Sequence, residues 1–175
     1  AIGDVAMTVP VIYSAAKANP EDSFTVLTQA FLMPLFMNRP PNVEVIGINT
    51  KGAEKGLIGL LKFISALLKF DFDVILDLHN VIRTIIICTF FRLNGKRVFV
   101  LDKARKERKR LTAIKGKRLY PLRPVIVRYA DVFRAAGLNY TETFTSLYEE
   151  SPAELSGMAS VAVSYTHLTL PTNRE

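Results

Sequence analysis

The chain has 175 residues, of which 49% are hydrophobic and 22% charged, the balance of one globular domain with ample material for a core. Its formal net charge of +7 favours an anionic partner, namely nucleic acid, a phosphorylated sugar or an anionic membrane surface. A single cysteine, Cys88, excludes an intrachain disulfide, and no apolar run approaches the roughly 18 residues that span a bilayer.

In chain order, Val5, Val9, Ile12 and Ala16 form one apolar stripe at helical spacing, with Pro10 as a candidate kink. DSFTVLT (22–28) reads as a strand, and NVEVIGI (42–48) as another after the Pro40-Pro41 break. GLIGLLKFISALLKF (56–70) is helical in pattern. FDVILDL (72–78) is nearly continuously apolar, as expected of a strand buried on both faces. Ile82 to Leu93 is a further helix, stopped by Asn94-Gly95, and KRVFVL (96–101) is the next strand. Val125 to Ala136 is the last helix, with Gly137 placed to cap its end. Cys88, inside IIICTFF, is expected to be a buried, inert thiol.

Strands and helices alternating at this spacing predict an α/β fold: a Rossmann-like parallel sheet with helices on both faces. The first helix has no strand ahead of it, so that strand is expected upstream of Ala1. Residues 1–138 form the predicted domain, and 139–162 read as a linker or domain exit. Val163 to Thr172 (VSYTHLTLPT) resembles a translated sequencing adapter, and 163–175 is treated as a non-native tail.

In a doubly wound sheet, ligands collect beyond the carboxyl ends of the strands. Three segments qualify. Gly3-Asp4 stands at the first helix, where Gly3 permits a tight turn and Asp4 is either a backbone cap or a general base aimed at an acceptor hydroxyl. DLHNVIRT (77–84) carries Asp77 and His79 on one face of an extended segment, Asn80 as a helix cap and Arg83 as a clamp for carboxylate or phosphate. The bland reading of the same segment is a capped helix with a satisfied histidine. KARKERKRLTAIKGKR (103–118) is either a solvated face or the footprint of an anion-binding surface. There is no GxGxxG after a strand, no GxxxxGK[ST] and no GxSxG, so no dinucleotide fingerprint, P-loop or nucleophile elbow is present. No Cys/His cluster suits zinc, and no metal or cofactor is expected.

IGDVAMTVPVI, DVILDLHNVIRT and RPVIVRYADVFRAAGL resemble, in order and spacing, the amino-terminal half of glycosyltransferase family 9, the heptosyltransferases of the lipopolysaccharide inner core. The resemblance covers residues 1 to about 138. It implies the acceptor-side half of a two-domain, inverting GT-B enzyme that transfers heptose from ADP-heptose to an anionic, Kdo- or phosphate-bearing acceptor. It further implies that Asp4 is the general base, that Arg83 lies near the acceptor site, and that the basic run 103–110, with Lys103 and Arg105, and Arg128 meet the acceptor's charge; Gly3, Asp77, His79 and Asn80, singled out by their place at strand ends, are assigned to the same acceptor side. The family's donor-binding half has no counterpart here, so this polypeptide by itself is not expected to catalyse transfer. Cytoplasmic location with peripheral contact at the inner membrane follows from a lipid acceptor. The rival is a basic module for nucleic acid or anionic membrane. Aromatic residues do not interleave with the basic run, so no specific nucleic acid is expected.

Overall fold

Helix α1, Ile2–Ala18, is enclosed along its middle: Val9 and the consecutive residues Val11 to Ala16 are all buried. A computed structural model describes residues 2–49, 52, 56–112 and 120–147. Within them, strand β1 (Phe24–Gln29) leads through a 3-10 segment, Ala30–Phe36, to β2 (Val43–Ile48). Helix α2 (Gly56–Leu67) precedes β3 (Val74–Asp77), α3 (Ile82–Leu93) and β4 (Arg97–Val100). The order closes with α4 (Arg105–Leu111) and α5 (Val125–Ala135).

The strands are parallel, but they make two separate pairs. β1 lies beside β2 with Phe24 opposite Val43 and Gln29 opposite Ile48. β3 lies beside β4 with Val74 opposite Arg97 and Asp77 opposite Val100. No ladder joins the pairs among the described residues. The single sheet expected from the sequence is therefore not closed. β3, expected to be buried on both faces, keeps Val74, Ile75 and Leu76 only half-buried. A strand with a neighbour along one edge alone stays open along the other.

Periodicity explains the packing. Leu60, Ile64 and Leu67 recur at four and three along α2, and Ile87 and Phe91 at four along α3, so each helix presents one stripe. The stripes bury together, with Ile75 of β3 and Val98 of β4 against them. Each such side chain contributes roughly 1.5–3 kcal/mol by leaving water. Ile75 and Val98 are register partners, so α2 and α3 cover one face of this pair. α1 packs against α5 and the 3-10 segment, and Tyr13 marks the latter contact: its hydroxyl donates to the Met37 carbonyl at 2.9 Å.

The compact unit reaches Thr145, past the boundary at 138. Residues read as a polar exit are tied back onto α1. Asn19 donates to the carbonyls of Ala15 and Asn139, each at 2.8 Å, and its oxygen accepts the Asn139 N–H at 3.0 Å. Ser14, wholly buried, accepts the N–H groups of Thr143 and Phe144, both at 3.2 Å. Asn19→Ala is therefore expected to cost about 2 kcal/mol, because it removes the three hydrogen bonds of a buried amide. Its check is the urea midpoint, together with faster amide exchange at Asn139. The remainder of the basic run (113–118), residues 148–162 and the tail lie outside the described residues.

Candidate functional site

α1 begins at Ile2 and carries Gly3 and Asp4 in its first turn. Gly3 is helical rather than in a turn; it is exposed, and a Cβ there would meet nothing within 4 Å. The tight turn that glycine permits is not formed here, because Gly3 already lies within α1. Asp4 is half-buried, and its negative charge is felt by two side chains from distant parts of the chain, His79 and Tyr129.

The turn after β3 is organised by Asp77. Its carboxylate is buried, only 5% exposed, yet it makes a dense set of bonds. Oδ1 accepts the N–H of His79 at 2.9 Å and of Asn80 at 2.7 Å. Oδ2 accepts the Thr84 hydroxyl at 2.7 Å and faces the Cys88 thiol at 3.9 Å. Asp77 was expected to share a ligand-facing side with His79. It instead points toward α3, because the chain reverses directly after it.

Asn80 also departs from expectation. It takes a left-handed conformation, φ 47°, which asparagine tolerates better than most residues. Val81, not Asn80, precedes the first turn of α3, and the Thr84 hydroxyl accepts the Val81 N–H at 3.0 Å. The Asn80 amide reaches across to the Leu101 carbonyl at 2.9 Å, fixing the ends of β3 and β4 together. Arg83 lies in the first turn of α3, as the spacing predicts.

His79 is held at the tip of this turn with much of its ring in solvent. Partial dehydration is the largest influence on it and lowers its pKa, and the Lys103 ammonium acts in the same direction. The charges of Asp4 and Asp77 oppose them more weakly. Lys103 is half-buried just beyond β4. Arg128, on α5, donates to the Asp102 carbonyl at 3.2 Å, while its buried Nε finds no partner among the described residues. Tyr129, beside it, is 3% exposed. Burial, and then the Asp4 charge, raise the Tyr129 pKa against the lowering pull of Arg128.

Asp4 is thus within electrostatic reach of both His79 and Tyr129, and Lys103 of His79; His79 and Lys103 follow the carboxyl ends of β3 and β4. Tyr129 was not singled out from the sequence, because it reads as one apolar position in the α5 stripe. Arg105 stands apart: it opens α4, whose residues 105–110 are all exposed. Among the described residues no group of three or more His, Cys, Asp or Glu is placed to hold a metal ion. Nor is any helix among them long and apolar enough to cross a membrane.

Cys88 is buried as expected. Dehydration, reinforced by the Asp77 charge, pushes its thiol up to about 11 from 9.0. The unfolded chain therefore ionises first as pH rises. The thiol's contribution to stability is complete below pH 9 and is lost between 9 and 11. Cys88→Ala should flatten the fall in urea midpoint across that window.

Compared with known proteins, this chain matches no family model. No curated protein and no solved structure matches it either.

Proposed function

We propose that this domain is the acceptor-side half of an inverting sugar transferase of the glycosyltransferase family 9 kind, in which Asp4 removes the proton from an acceptor hydroxyl. The observation that carries this reading is the meeting of one carboxylate with an imidazole and a phenol, Asp4 with His79 and Tyr129, and of that imidazole with the Lys103 ammonium. A general base next to groups that can bind an acceptor's phosphate or carboxylate is what such a transfer needs. The two parallel pairs are read as parts of one Rossmann-like sheet, whose carboxyl ends form the wall of a cleft. A second domain would supply the donor side, holding the diphosphate of ADP-heptose as it departs. The acceptor is the anionic inner core of lipopolysaccharide, a membrane lipid, and α4 with its exposed Arg105, Lys106, Arg108, Lys109 and Arg110 suits peripheral contact with an anionic inner-membrane surface.

The same basic helix favours a second reading, in which the chain is a charge-driven binder of nucleic acid or membrane. Titration of the His79 ring by NMR separates the two. A phosphorylated inner-core acceptor is expected to shift the His79 resonances, and Lys103→Ala to weaken its binding about tenfold, or roughly 1.4 kcal/mol. A short DNA duplex is expected to leave His79 unmoved. If DNA shifts it and the acceptor does not, the transferase reading fails.

A further inference from the structure

Each helix that covers the β3–β4 pair carries a second stripe, opposite the one it buries. On α2, Ile58, Leu61, Lys62 and Ser65 follow the spacing of one helix face, on the side away from Leu60, Ile64 and Leu67, and all of them are exposed. On α3, Ile82, Ile85, Thr89, Arg92 and Leu93 lie opposite Ile87 and Phe91, and these too are exposed. Ile58 is 74% exposed, Ile82 80% and Leu93 79%. A helix that faces water places charged and polar groups on its outer stripe; here aliphatic side chains predominate. Single exposed apolar residues are ordinary, but a patch on two helices packed into one cluster is not. The charges beside it have one sign. α2 and α3 carry Lys62, Arg83 and Arg92 and no carboxylate, and Lys69, just past α2, is exposed.

We infer that the outer faces of α2 and α3 are a lipid-docking surface, on which Ile58, Leu61, Ile82 and Ile85 enter the interface of an anionic bilayer while Lys62 and Arg92 meet its headgroup phosphates. Aliphatic residues with only cations beside them are the make-up of a helix lying in a membrane interface. Each helix has 12 residues, too few to span a hydrocarbon core of roughly 30 Å, so both lie along the surface. A protein partner fits less well. Protein interfaces are enriched in Tyr, Trp, Phe and Met and depleted of Lys, and neither outer stripe holds an aromatic residue or a Met. A second copy would set cations against cations across a two-fold axis. Ile82 and Ile85 follow directly on the turn that carries His79, so docking by this face keeps that turn near the headgroups. The inference extends the peripheral contact proposed above, to which α4 brings charge alone, and it rests only on the membrane part of that reading.

Co-sedimentation of the full chain with vesicles tests it, and because the vesicles hold no sugar acceptor the result is independent of transfer. Vesicles of equal parts phosphatidylglycerol and phosphatidylcholine are expected to retain the protein, and pure phosphatidylcholine to bind it about tenfold more weakly. Ile58→Ser together with Ile82→Ser is expected to weaken partition into the anionic vesicles by about tenfold or more, at an unchanged urea midpoint, since both side chains already stand in water. The chain contains no tryptophan, so Ile82→Trp gives a single probe of depth, and Phe31→Trp, at an exposed position of the 3-10 segment, gives its control. Brominated acyl chains are expected to quench the emission of Ile82→Trp and to spare that of Phe31→Trp. If the chain binds yet Ile82→Trp is not quenched, the inference is overturned, because the membrane is then met elsewhere. It is overturned equally if binding survives the paired Ser substitutions but is lost in Lys109→Ala with Arg110→Ala, since the charge of α4 then accounts for it. Absence of binding to anionic vesicles overturns it outright, and association that grows with concentration and vanishes in the paired Ser variant would then identify a second copy as the occupant.

Discussion

Asp4→Asn, in a chain that carries the donor-binding domain, is expected to lower turnover by about 10²- to 10⁴-fold, the range over which a positioned general base acts. That loss corresponds to roughly 2.7–5.5 kcal/mol of transition-state stabilisation. The substitution keeps the volume and polarity of the side chain and removes only its capacity to take a proton. On the proposed function, acceptor KM should change little, because the amide still accepts hydrogen bonds while the cationic Lys103 and Arg128 are untouched. If Asp4 merely caps α1, the amide should serve nearly as well, and turnover should be close to unchanged. If charge alone drives binding, removing a carboxylate should tighten it slightly. The split between kcat and KM therefore distinguishes three roles with one variant. A second readout comes from His79: with the Asp4 charge gone, its pKa should fall further, since that charge opposes the dehydration and the Lys103 ammonium that lower it.

Much of the scaffold around Asp4 is legible in the sequence, for local reasons. α3 runs Ile82–Leu93, where the apolar pattern and Asn94-Gly95 place it, with Gly95 at φ 76°. α5 ends where Gly137, at φ 89°, permits the chain to turn. Features that depend on distant contacts are not legible. The 3-10 segment Ala30–Phe36 looks like an apolar stretch broken by Pro34; it is held by burial of Leu32 and Phe36. Residues 139–144 read as a polar exit, yet they are fastened through backbone groups to Ser14 and Asn19, a pairing that no local pattern encodes. The candidate site divides in the same way. The spacing singles out Asp4, His79, Arg83 and Lys103, but not that Asp77 is buried against α3 while the Asn80 amide bonds the Leu101 carbonyl. That depends on the reversal at 78–80, where the Asp77 carboxylate turns inward and Asn80 adopts a left-handed backbone.

The inward turn of Asp77 makes the second large effect one of stability. Asp77→Ala is expected to destabilise the domain by about 2–3 kcal/mol, since it removes the acceptor of the His79 and Asn80 N–H groups and one of the two acceptors of the Thr84 hydroxyl, and leaves a gap where a buried side chain stood. Against a total stability of about 5–15 kcal/mol, such a loss is large, and a urea titration followed by far-UV circular dichroism should show it as a clear drop in midpoint. Asp77→Asn should cost less: its carbonyl oxygen can still accept the two N–H groups, and the new amide faces Thr84, whose hydroxyl can accept as well as donate. A residue whose work is acceptor binding would give the opposite ordering, with small effects on the midpoint and comparable loss of affinity for both variants. The consequence for the site is positional. With Asp77 gone, the turn at 78–80 loses its anchor while Asn80 keeps its bond to Leu101, so His79 should become mobile. Its ring resonances should then move toward those of a solvated histidine, and the variant should retain Asp4 and Lys103 yet bind a phosphorylated acceptor poorly.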